Sequence, residues 1–113
     1  MKAPANLAAK LATFTDRFSP RTVATYNDND IMVAKLEGPF HWHKHDDTDE
    51  YFMVLEGELV IDLEDREPVR LSRHQSYTVP RTVMHRTSAP VRTVILMVEA
   101  AGVTPTGDEP PAG

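Results

Sequence analysis

At 113 residues the chain has room for one hydrophobic core and little for a second. Its 41% apolar and 26% charged residues are those of an ordinary globular protein, which excludes a disordered composition and a membrane span. A formal net charge of -5 argues against a nucleic-acid partner, and the absence of cysteine confines any metal to nitrogen and oxygen ligands.

Met1-Lys2-Ala3-Pro4 carries one basic residue and leads into an interrupted apolar pattern, so a cytoplasmic protein is expected rather than a secreted one. Leu7, Leu11, Phe14 and Phe18 recur at steps of four, three and four. That spacing predicts a helix from Asn6 to Phe18, with Asn6 as cap and Ser19-Pro20 as stop. The first segment, 1–20, is expected to pack on the outside of the body that follows or on a partner subunit.

From Arg21 the pattern changes to short runs rich in β-branched and aromatic residues. Strands are expected near 22–26, 31–37, 40–45, 50–56, 58–64, 68–72, 76–79, 84–88 and 91–99. Several are apolar on both faces, as where Phe52 and Val54 alternate with Met53 and Leu55. Closing the sheet into a barrel over 21–101 buries one face, and the helix or a second copy buries the other. A homodimer is therefore expected. The Gly- and Pro-rich end, 102–113, reads as an unpacked tail.

The chemistry concentrates in Phe40-His41-Trp42-His43-Lys44-His45-Asp46-Asp47-Thr48-Asp49-Glu50. On an extended strand His41, His43 and His45 share a face, with alternate Cα atoms about 6.6 Å apart, so two neighbouring imidazoles can lean onto one ion. Asp46 to Asp49 form a turn, and Glu50 returns to the same cavity with Phe52 and Val54 on its own face. His85, in the alternating series Val83, His85, Thr87, is the best fourth ligand, whereas His74 sits in turn-like company. Three imidazoles and one carboxylate suit iron, manganese, nickel, cobalt or zinc and leave one or two positions open. The acidic run lacks the ligand spacing of an EF-hand.

This pattern resembles the small single-domain cupins often described as mannose-6-phosphate-isomerase-like. Their first motif is a glycine, five residues, His-x-His, three or four residues, Glu, six residues and Gly; His43, His45, Glu50 and Gly57 match it in register, while Gly38 lies one residue too close to His43. Pairing His41 with His43 would put Asp47 at the acid position and break the spacing to Gly57. In the second motif Pro80 and His85 match, while His74, Thr82 and Ala89 stand at the two glycine positions and the asparagine position.

The resemblance spans roughly 30–100 and implies an all-β double-stranded β-helix, the jelly-roll barrel, to which the apolar spacing before it adds a short N-terminal helix. It also implies one divalent ion on His43, His45, Glu50 and His85 and a small-molecule ligand. Cupins with such ligands include isomerases and dioxygenases, so the expected activity is one of these on a small oxygen-rich molecule; the alternative is a non-catalytic metal-binding module. His41 is either a base facing the substrate or a rim residue. Arg81, on the loop after Pro80, and Phe52, behind Glu50, are candidate substrate contacts. Trp42 and Tyr51 should face outward.

Overall fold

The computed structural model describes residues 3–102. Asn6 caps the helix as its spacing predicts, its Oδ1 accepting from Ala9 N at 2.9 Å, but α1 (Leu7–Leu11) ends seven residues sooner than the apolar spacing suggests. The cause is Lys35. Its ammonium donates to the carbonyls of Leu11 and Phe14, which a continuing helix would have used within its own backbone. Phe14 is thereby turned inward and buried, with the cationic groups of Arg21 and Lys35 each 4.6 Å from its ring centre. Residues 12–20 form a strap along the barrel: Phe18 N donates to Lys35 O at 2.9 Å, and Phe18 itself adopts a left-handed backbone with φ 58°.

Seven strands follow: β1 (Arg21–Tyr26), β2 (Asn29–Pro39), β3 (Glu50–Glu56), β4 (Leu59–Leu63), β5 (Arg66–Leu71), β6 (Ser76–Val79) and β7 (His85–Ala100). Period-two alternation is cleanest in β3 and β4, where Glu50, Phe52, Val54, Leu59, Ile61 and Leu63 are all buried and the residues between them are not. All pairings are antiparallel, in the order β1-β2-β7-β3-β6, with β4 between β5 and β7. Together they make an antiparallel jelly-roll barrel around a core that includes Val54, Leu59, Ile61 and Ile95.

Two expected strands, 84–88 and 91–99, are one. β7 runs through Pro90 because that residue falls between its paired stretches: the first half pairs with β4 and the end of β2, the second with β2 and β3. No ladder bond is asked of the missing N–H. The expected strand at 40–45 is not regular. It is a loop crossing beside the start of β7, joined to it by a single bridge between His43 and His85. No helix among the described residues is long and apolar enough to cross a membrane. Of the expected tail, residues 103–113 lie outside the described residues.

Candidate metal centre

His43 and His85 face each other as an antiparallel pair, each backbone N–H donating to the other's carbonyl at 2.9 Å. Residues so paired project their side chains to the same face, and the two rings stand with centres 4.4 Å apart. Further along, Thr82 N donates to His45 O at 2.7 Å, which ties the loop of His45 to the loop preceding His85. Asp49 adds a second tie, its Oδ1 accepting from Arg81 N at 2.9 Å and Arg81 Nε at 3.2 Å. These contacts with Arg81 hold the Asp49 carboxyl below its ordinary pKa. Glu50, first residue of β3, comes in on the same face as Phe52.

The ligand atoms of His43, His45 and Glu50 all lie within 4.8 Å of one another. Around Glu50 Oε1 are His85 Nε2 at 2.9 Å, His45 Nε2 at 3.5 Å and His43 Nε2 at 3.7 Å. All four residues are buried, Glu50 and His85 to 1% exposure. The structure thus brings together the four residues the sequence singles out.

Backbone carbonyls set the roles of two rings. His43 Nδ1 lies 3.1 Å from His41 O and His85 Nδ1 lies 3.0 Å from Val83 O. A carbonyl only accepts, so each Nδ1 carries the proton, and in the neutral ring Nε2 presents a lone pair toward Glu50. A lone pair facing a carboxylate oxygen at 2.9 Å is repulsive unless positive charge lies between them. His43 Nε2 and Glu50 Oε2 are buried without a hydrogen-bond partner. The donor set therefore fits a divalent ion of the first transition row or zinc, with the carbonyls of His41 and Val83 orienting two of the rings. Burial alone would push the Glu50 carboxyl up, but where no ion lies between them an Nε2–H of His43, His45 or His85 directed at it, aided by Glu99, holds it well below the usual range.

Glu99 is the functional-site residue that sequence reasoning missed. It is 2% exposed on β7, and its Oε1 is 3.9 Å from His45 Nε2. Burial first, then the neighbouring Glu50 carboxylate and Asp30, push its pKa up to about 10. A signal was available, because His85, Thr87, Ile95, Met97 and Glu99 share one parity along β7. Reading that segment as two strands broke the count.

A cavity of about 220 Å³ adjoins the cluster, with His43, Glu50 and Thr87 on its lining and Phe18, Phe40 and Phe52 among its apolar walls. Phe52 thus stands where the sequence places it. Arg81, on the loop after Pro80, is bound to Asp49 and is not among the lining residues. Nor is His41, whose ring packs at 4.1 Å from Phe40 and 5.3 Å from His43. Trp42 faces outward, 44% exposed, under the Arg86 guanidinium.

Residues 31–99 match the family described as Cupin domain. The chain belongs to the cupins. A protein of Bacillus subtilis named uncharacterized protein YdbB is 39% identical to this cupin over 94 residues, 83% of each chain. The crystal structure of a cupin-2 domain protein from Shewanella frigidimarina is 37% identical, with a TM-score of 0.80 over 84% of this chain and 92% of that one. Hydroquinone 1,2-dioxygenase PnpCD in complex with Fe3+ shares the fold at 17% identity and a TM-score of 0.76, over 85% of this chain and 32% of that one.

The cupin motifs take on physical meaning in the backbone. Gly57 has φ 95°, and a Cβ there would lie 2.7 Å from Arg92 O, so only glycine fits. His74 and Thr82, at the two positions where the second motif has glycine, have φ 69° and 71°. The left-handed turns persist without the residue that usually makes them.

Proposed function

We propose that this cupin holds one divalent metal ion on His43, His45, Glu50 and His85 and uses it to act on a small molecule in the adjoining cavity. The observation that carries the reading is the convergence of three imidazoles on a buried carboxylate whose second oxygen has no hydrogen-bond partner. When bound, the ion supplies Lewis acidity or a redox centre to an oxygen-bearing substrate, the chemistry of isomerase- and dioxygenase-type cupins respectively. His43 and Glu50 line the cavity as well as the cluster, which favours an enzyme over a metal site that only braces the barrel. Glu99 is the ionisable group beside the cluster that is not among the four ligands. Its burial 3.9 Å from His45 Nε2 supports it as the group that holds a proton there. The expected homodimer belongs to this proposal, resting on exposed Tyr26, Trp42 and Val91.

PnpCD, which shares this fold over 32% of its chain, is in complex with Fe3+, which makes iron the first metal to assay. Elemental analysis of protein purified without added metal should find close to one ion per chain. His43→Ala and His85→Ala should each lower that content by at least tenfold. Equal metal in all three proteins would refute the assignment.

A further inference from the structure

The cavity wall says more about the substrate than the metal ligands do. Eight of the twelve lining residues are apolar, including Phe18, Phe40 and Phe52, and the polar ones are Ser19, His43, Glu50 and Thr87. A sugar or polyol of fitting size brings a hydroxyl on nearly every carbon. Each hydroxyl buried without a partner costs roughly tenfold or more in affinity, and this wall has few partners to offer. The volume points the same way. A dry apolar cavity of about 150 Å³ lined by Leu, Ile and Phe takes up benzene, so about 220 Å³ accommodates a single ring with one or two small substituents.

The strap supplies part of that wall. Phe18 stacks on Phe40 with ring centres 5.4 Å apart and planes 14° apart, and both belong to the lining. Phe18 reaches this position in a left-handed backbone that a bulky side chain seldom adopts, held by its N–H on Lys35 O. Strain retained at a residue that walls a cavity is consistent with a role in closing it over a ligand.

We propose that the ligand is a monocyclic phenol: a planar apolar ring against Phe18, Phe40 and Phe52, with its single oxygen directed to the polar patch of His43 and Glu50. This rests on the metal reading above only for the oxygen end, because the ring end depends on the wall alone. It replaces the oxygen-rich substrate expected from sequence with one bearing oxygen at one end.

Binding of phenol, cyclohexanol and D-fructose to the cobalt(II)-loaded protein, followed by calorimetry and by the visible cobalt bands, tests it. Phenol should bind at least tenfold more tightly than D-fructose and several-fold more tightly than cyclohexanol, and should shift the cobalt bands. Phe18→Ala, at a side chain already 36% exposed, should weaken phenol at least fivefold without changing cobalt content, and Phe18→Leu should lie between. D-Fructose binding as tightly as phenol, or phenol affinity indifferent to Phe18→Ala, overturns the proposal. If the protein takes up no cobalt, the metal reading fails, and the ring proposal is decided by the same Phe18 dependence of phenol binding in metal-free protein.

Discussion

Thr82 pays for a turn at which the second cupin motif has glycine. A β-branched residue at φ 71° carries roughly 1–2 kcal/mol of backbone strain, and its N–H holds His45 O, so the strain is borne where it positions a ligand loop. Thr82→Gly removes the strain and loses part of the gain to chain entropy, leaving a net stabilisation of about 0.5–1 kcal/mol. Denaturant unfolding should show the midpoint rise with the slope unchanged. Glu99 sets a pH dependence. In the metal-free protein its folded value is raised from 4.5 to about 10, so the folded state binds more protons than the unfolded between those values, and stability falls as pH rises through that window. Glu50 has a lowered value; the stability it contributes is present above 4.5 and lost on acidification, so it adds no slope from pH 5 to 9. Chelator-treated protein should therefore lose melting temperature from pH 5 to 9, and Glu99→Gln should lose less. Equal slopes would show that Glu99 is not the group responsible.

At the scale of elements, what was legible depended on whether period and neighbours agreed. β3 and β4 alternate strictly, and their limits and faces are readable from Glu50 to Leu63. The N-terminal helix was legible only in its first turn. Leu7 and Leu11 obey the helical period, but Phe14 and Phe18 keep that period while belonging to a strap fixed by Lys35, a contact across 21 to 24 residues that no local pattern encodes. The histidine tract shows the converse. Its side chains converge although 40–45 is not a strand, because one pair, His43 with His85, and the Thr82 bond set their direction. Lys35→Met should release the strap: hydrogen exchange across 12–18 should speed markedly while amides of β3 and β7 keep their protection. Unchanged exchange at 12–18 would mean that the buried Phe14 ring and the Phe18 N–H bond to Lys35 O anchor it without the ammonium.

For the molecule as a whole, the sequence carried the barrel and the four converging residues, since motif spacing records which positions meet. It did not carry Glu99, whose face depends on β7 running unbroken through Pro90, or the apolar cavity, whose walls come from the strap, β2, β3 and β7 together. Substrate-facing chemistry is assembled from distant segments and leaves little local trace. What unites these findings is the proposal of a single ion at the centre of the cluster. An anomalous-scattering map from crystals of the metal-loaded protein, recorded at the absorption edge of its metal, tests this directly. The account predicts one peak per chain, bonded at about 2.0–2.2 Å to His43, His45, Glu50 and His85. A peak elsewhere, or one that leaves His85 unbonded, would contradict it.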